Sequence, residues 1–236
     1  MSEELSHKAN EFLEEVLQLE PRLAVFDCDG TLWAGDAGER FFDWELRQGV
    51  VSEDIKRWAR PRYLEYQAGR VSEDDMCGEM VTMHRGLTEA EVMEAAKRFF
   101  DENFASQIFP EMRELVKNLQ HSSCEVWAVS STNEWVIQAA MQWVGIPANR
   151  TLASSVEIEN GRVTDRLIRV PSGLGKPRAI REVIRREPDA AFGNSRWDQE
   201  MLKIARHAFA VNPNPDLEGV AIDRGWRVYW PDSIRV

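Results

Sequence analysis

The ten residues Leu23-Ala24-Val25-Phe26-Asp27-Cys28-Asp29-Gly30-Thr31-Leu32 decide how this chain is read. An apolar run of this length, ended by Gly, has the pattern of a strand buried on both faces of a parallel sheet. It stops abruptly at two carboxylates two positions apart. Side chains alternate along a strand, so Asp27 and Asp29 share one side only while the backbone stays extended. Gly30 lets the backbone turn away at the strand's carboxyl end, where open α/β sheets carry their ligand crevices. Two carboxylates held that close repel each other and are costly without a cation. Taken alone, the segment also reads as a solvated turn after a strand.

The flanking sequence favours the α/β reading. Leu5, Ala9, Phe12, Leu13, Val16 and Leu17 predict an amphipathic helix over 3–20, stopped by Pro21. Residues 34–105 contain no convincing strand. Helix starts are signalled at Ser52-Glu53-Asp54, Ser72-Glu73-Asp74-Asp75 and Thr88-Glu89-Ala90-Glu91, so this stretch reads as a bundle of about four helices, an inserted second domain. The α/β alternation then resumes. Helices are predicted over 110–120, 133–144, 177–186 and 198–205. Strands are predicted over 125–129, 190–192, 208–211 and 225–229, with a hairpin around Asn160-Gly161. Strands alternating with helices imply a parallel sheet with right-handed crossovers.

Composition narrows the partners. The chain has 236 residues, 43% hydrophobic, and a formal net charge of −11. That suits a core domain with a smaller insertion, and disfavours nucleic acid and anionic lipid as partners. Cys28, Cys77 and Cys124 are odd in number and scattered, which suggests neither a disulfide framework nor a zinc site. Cys28 reads as a small buried apolar residue. The chain starts Met1-Ser2-Glu3-Glu4, without the features of a signal peptide, and holds no stretch long enough to span a bilayer. The expectation is a cytoplasmic protein.

Three further signals follow strands or open helices. Val126–Val129 runs into Ser130-Ser131-Thr132, hydroxyls at an expected helix start, where free amides favour an anion. Lys176 lies in Gly173-Leu174-Gly175-Lys176-Pro177, which differs from a phosphate-binding P-loop because Pro follows the Lys. Phe192-Gly193-Asn194-Ser195-Arg196-Trp197-Asp198 places two oxygen donors, Asn194 and Asp198, suited to a hard cation such as Mg²⁺.

In this order the four signals resemble the haloacid dehalogenase superfamily. Asp27-Cys28-Asp29-Gly30-Thr31 is similar to its first motif, Ser130 to its second, Lys176 to its third and the Gly193–Asp198 segment to its fourth. The helical insertion after the first motif resembles the C1 cap of the phosphoserine-phosphatase-like branch, as does Ala210-Val211-Asn212-Pro213-Asn214-Pro215-Asp216-Leu217. The resemblance implies an α/β fold with a Rossmannoid three-layer core and parallel sheet, 1–33 and 106–236, and an all-helical cap, 34–105. It implies a Mg²⁺-dependent phosphomonoester hydrolase acting on a small metabolite. Asp27 is then the nucleophile and Asp29 the general acid and base. Thr31, Asp36, Ser130, Ser131 and Lys176 bind phosphate or substrate, and Asp27, Asp29, Asn194 and Asp198 hold the metal. Asn194 stands where the branch usually has Asp. Asp29 argues against a dehalogenase, which needs no acid for a halide. A phosphotransferase and a ligand-binding protein with weak catalysis are the alternatives on the same scaffold. Asp36 follows the first motif at the spacing where phosphoserine phosphatases carry an acid for the substrate amine, and reads equally as a solvated loop acid; Arg40, Arg47, Arg57, Arg60 and Arg62 are candidate carboxylate partners. Trp33 and Trp44 are candidates to stack on substrate or cage a quaternary ammonium, as phosphocholine would require, although core packing is the stronger reading for most of the aromatics. His7, His84, His121 and His207 form no cluster and receive no catalytic role.

Overall fold

The computed structural model describes residues 5–234. The central strand β1 (Leu23–Phe26) is fully buried, as its apolar run requires. Around it the chain forms a seven-stranded sheet from β2 (Glu125–Asn133), β3 (Thr151–Glu159), β4 (Arg162–Arg169), β5 (Ala190–Gly193), β6 (His207–Val211) and β7 (Arg227–Tyr229). The spatial order is β4-β3-β2-β1-β5-β6-β7. All pairings are parallel except β3 with β4, which form an antiparallel hairpin. Asn160 and Gly161 turn it with positive φ at both positions, as a tight two-residue turn demands.

Alternation along the strands divides the core between the two faces. Ala24, Phe26, Val126, Ala128, Phe192 and Phe209 point to one side, with helices α1 (His7–Leu17), α6 (Pro110–His121) and α7 (Glu134–Val144). Leu23, Val25, Trp127, Val129, Ala191 and Ala210 point to the other, with α8 (Gly175–Ala179), α9 (Gln199–Ile204) and α10 (Pro215–Arg224). The product is the expected three-layer α/β/α core. Three rings in register across β1, β5 and β6 stack as a ladder, Phe26 on Phe192 at 4.2 Å and Phe192 on Phe209 at 4.8 Å. Phe12 of α1 meets Phe209 edge-on, closing the apolar face of that helix onto the sheet.

Between β1 and α6 the chain builds α2 (Ala37–Gln48), α3 (Glu53–Gln67), α4 (Glu73–Thr82) and α5 (Glu89–Asn103). The anticipated hydroxyl caps Ser52, Ser72 and Thr88 each accept from a first-turn amide, and Thr88 with Glu91 completes a capping box. These helices have a small core of their own around Phe42, Leu46 and Met83. Their larger apolar residues, including Val81, Phe99 and Phe100, join the cluster on the sheet.

Several boundaries differ from expectation. β2 continues through Asn133 because its end pairs with β3, Asn133 opposite Ser154, while Ser154 Oγ donates to the Ser131 carbonyl at 2.6 Å. Helix α7 therefore starts at Glu134, capped by Asn133, and Ser130–Thr132 belong to the strand rather than a helix N-terminus. The helix expected over 177–186 is a short α segment that widens into a π turn at Ile180–Ile184 and ends at Arg185 with φ 61°. Finally α9 begins at Gln199, after a 3-10 turn at Arg196–Asp198.

Candidate active site

β1 lies where the strand order reverses, with β2 on one side and β5 on the other, the position at which open α/β sheets hold ligands. Asp27 extends β1 by one bond, its amide donating to the Phe192 carbonyl at 2.8 Å. Gly30 then turns the chain with φ +73°. This brings Thr31 back beneath Asp27, and its hydroxyl donates to Asp27 Oδ2 at 2.9 Å. Thr31 is fully buried and does not line the cavity above, so it orients Asp27 rather than touching the space a ligand would fill.

The other Asp27 oxygen accepts from Lys176 Nζ at 2.7 Å. The same ammonium donates to Asp198 Oδ1 at 2.5 Å and to the Val129 carbonyl at 2.9 Å. Burial works against the charge on Lys176, but Asp198 and Asp27 outweigh it and raise its pKa. Asp198 Oδ2 accepts from the Asn194 and Ser195 amides at 3.0 and 2.9 Å. Asp198 thus ties the third and fourth sequence signals into one network. Burial, then the charge of Asp198, push Asp27 up to about 7 despite Lys176.

Asp29 is held by three donors. Oδ1 accepts from the Trp33 indole at 2.8 Å and the Ala37 amide at 2.6 Å, and Oδ2 accepts from the Thr132 hydroxyl at 2.7 Å. The Ala37 amide is the first of α2, so the helix N-terminus faces this carboxylate. Burial nevertheless raises Asp29 to about 7. Two carboxyls side by side, each poised near neutrality, can serve as nucleophile and proton carrier.

Both open into a cavity of about 610 Å³ between the sheet edge and α2–α4, a size suited to a small molecule. Asp36, Ser131, Lys176, Asn194 and Asp198 line it as expected. Asp36 also caps α2, accepting from the Glu39 amide at 2.7 Å. Ser130 is buried and off the wall, and its hydroxyl accepts from the Thr132 amide at 3.1 Å. Trp33 and Trp44 form no cage. Trp33 is fully buried with its N–H spent on Asp29, and Trp44 packs against Phe41 and Phe99. Of the five candidate arginines only Arg40 is on the wall, and Arg62 is paired with Glu79. Burial, then the nearby Asp27 and Asp29 charges, raise the Cys28 thiol well above its usual value, consistent with a packing role.

The sequence reading missed Thr132 as a partner of Asp29. It also missed Tyr63, Tyr66 and Glu73, which the cap presents to the cavity. Thr132 carried a signal, being one of three consecutive hydroxyl residues beyond the strand's apolar core. The cap residues carried none, because only the packing of α3 and α4 turns them inward.

Asp27, Asp29, Gly30 and Asn194 line one cavity, and between them carry carboxylate, main-chain carbonyl and side-chain amide oxygens. A Cβ placed on Gly30 would stand 1.9 Å from Asn194 Nδ2, so only glycine lets this amide press onto the turn. This donor set fits Mg²⁺. Among the described residues no group of three or more His, Cys, Asp or Glu side chains makes an all-side-chain cage.

The family model of haloacid dehalogenase-like hydrolases matches residues 24–203. The chain belongs to this family. A histidinol-phosphatase from Neisseria meningitidis serogroup C is 27% identical over 217 residues, covering 87% of this chain and 97% of the relative. A phosphoserine phosphatase of Mycobacterium tuberculosis is 26% identical over 216 residues, covering 87% of this chain and 69% of that one. Two solved structures share the fold. A protein of unknown function from Bordetella pertussis Tohama I superposes with TM-score 0.78 at 21% identity, covering 88% of this chain and 97% of that chain. The phospho-aspartyl intermediate analogue of phosphoserine phosphatase does so with TM-score 0.56 at 17% identity, covering 89% and 92%. Among the described residues no helix is long and apolar enough to cross a membrane.

Proposed function

We propose that the chain is a Mg²⁺-dependent phosphomonoesterase of small phosphorylated metabolites that works through an aspartyl phosphate on Asp27. The observation that carries this reading is the Asp27–Asp29 pair at the cavity floor, one carboxyl gripped by Lys176 and Thr31, the other held by Trp33, Ala37 and Thr132. Asp27 attacks phosphorus, a bond forms from its carboxylate oxygen, and the ester P–O bond breaks. Asp29 gives its proton to the departing alcohol oxygen. It then takes a proton from the water that attacks the acyl phosphate, releasing phosphate and restoring Asp27. Lys176 and the β2 corner at Ser131 hold the phosphoryl oxygens as charge redistributes. Asp27, the Asp29 carbonyl and Asn194 would hold Mg²⁺, while Asp198 fixes Lys176 and the Asn194 loop from behind. When bound, the ion offsets the repulsion between Asp27 and the phosphate dianion.

Phosphate release from a panel of phosphomonoesters, with and without Mg²⁺ and beside Asp27→Asn, tests this. Mg²⁺-dependent turnover that the variant abolishes is expected. Transfer of phosphate to an added alcohol in preference to water would replace hydrolase by transferase, and a folded protein without turnover would refute both.

A further inference from the structure

Four carboxylates of the 33–73 segment line the cavity above the catalytic pair: Asp36, Glu39, Glu45 and Glu73. They are not equivalent. Glu45 is buried but balanced, with Oε2 2.6 Å from Nε2 of the fully buried His84, whose other ring nitrogen faces the Val81 carbonyl. Asp36 is accessible to solvent and caps α2. Glu39 is partly accessible to solvent.

Glu73 is different. It is nine-tenths buried, yet the groups that reach it are all neutral: the Tyr66 hydroxyl on Oε2, and Ser131 Oγ at 3.5 Å and Cys77 Sγ at 3.7 Å on Oε1. Among the described residues no Lys, Arg or His side chain comes within ion-pair distance of it. A buried carboxylate left without a counter-charge is costly, and a bound cation would remove that cost. The rings of Tyr63 and Tyr66, with centroids 5.6 Å apart, stand on the same wall and offer faces that also favour a cation. Ser131 Oγ, at the corner assigned to phosphate, lies 3.5 Å from Glu73 Oε1, so the alcohol that bridges the two is a short one. The cavity's one arginine, Arg40, lies over the Phe104 ring at 5.6 Å.

Resting on the phosphatase reading above, we infer that Glu73 is a specificity-determining residue, and that the site takes a phosphate ester whose alcohol carries a cationic nitrogen and no carboxylate. Such an ester puts its ammonium against Glu73 and the two tyrosines. An ester that adds an α-carboxylate brings a second anion into a wall already rich in them.

Binding to the Asp27→Asn variant, in Mg²⁺, tests the inference without turnover. Calorimetric Kd values are compared for ethanolamine phosphate, ethyl phosphate and phosphoserine, with and without Glu73→Gln. Ethanolamine phosphate should bind at least 10-fold tighter than either of the others, and Glu73→Gln should reduce its advantage over ethyl phosphate to 3-fold or less. Equal binding of the amine and neutral esters, tighter binding of phosphoserine, or an amine preference that survives Glu73→Gln would overturn it. Hydrolysis by the wild-type protein is measured in parallel. The expected amine preference in binding, with no hydrolysis of any ester, would sink the phosphatase reading and leave the assignment of Glu73 standing.

Discussion

Replacing Lys176 by Met removes the charge that joins three of the four sequence signals, and its cost follows from the geometry. The ammonium is 2% exposed and donates to Asp27, Asp198 and the Val129 carbonyl at 2.7, 2.5 and 2.9 Å. Methionine matches its length but leaves two buried carboxylates facing each other. Removing one partner of a buried pair costs about 3–5 kcal/mol, and Lys176→Met should lose that much stability at pH 8 in urea unfolding followed by circular dichroism. The pH dependence gives a second check. Lys176 lowers the Asp27 pKa, so without it that folded-state pKa moves still further above the unfolded value. A carboxyl whose folded pKa is raised adds stability as pH falls, so the penalty should shrink between pH 8 and pH 5.5. Adding Asp198→Asn to Lys176→Met should cost less than the two single changes summed, because they share one interaction. A loss below about 1 kcal/mol, or a penalty that grows toward acid pH, would refute this account.

Other outcomes follow from single contacts. Thr132→Val removes a hydroxyl donor to a catalytic carboxylate, worth about 1.5–3 kcal/mol, so kcat should fall roughly 10- to 150-fold with KM little changed, while Thr132→Ser retains most of the rate. Gly30→Ala meets both a φ of +73° and an Asn194 amide 1.9 Å from the new Cβ; stability should drop by about 1–3 kcal/mol and the Mg²⁺ concentration for half-activity should rise, measured by thermal melts and metal titration. Glu134→Gln should stabilise the protein at pH 8. Burial raises Glu134 from 4.5 to about 7, so its ionisation costs stability above pH 7, and a gain on the order of 1–3 kcal/mol should vanish below pH 4.5 in melts at the two pH values.

The sequence disclosed those parts whose information is local. β1 was legible because an apolar run against two acids admits few readings, and the cap helices because Ser52, Ser72 and Thr88 announce their own starts. Asp27, Lys176 and Asp198 were named one by one, but nothing in the sequence shows that one ammonium serves both acids. The misreadings arose where distant pairing decided the matter. β2 outruns its apolar core because β3 pairs with its last residues, which moves Ser130 off the cavity wall. Trp33 is buried, in line with the core-packing reading, while its N–H bond to Asp29 is visible only in the fold. Glu73 was legible as a helix-start acid, and only the fold shows that α4 carries it over the active site.

In the proposed mechanism the insertion point of the helical cap is itself part of the acid–base apparatus. Two of the three donors to Asp29 come from residues 33–37, the chain's first steps from β1 into α2, and the third comes from β2 across the sheet. The two sides approach closely, since a Cβ on Gly38 would stand 2.6 Å from Thr132 Oγ1. Asp29 therefore keeps its full set of donors only while α2 is seated against the end of β2. A displacement of α2 large enough to take the Ala37 amide from Asp29 leaves a less firmly oriented carboxyl. In the recognition inferred above, the alcohol is met by Glu73 on a different inserted helix, α4. In the proposed mechanism the entry into the helical insertion therefore also orients the proton carrier, and acid–base chemistry depends on the contact of α2 with β2 as well as on β1.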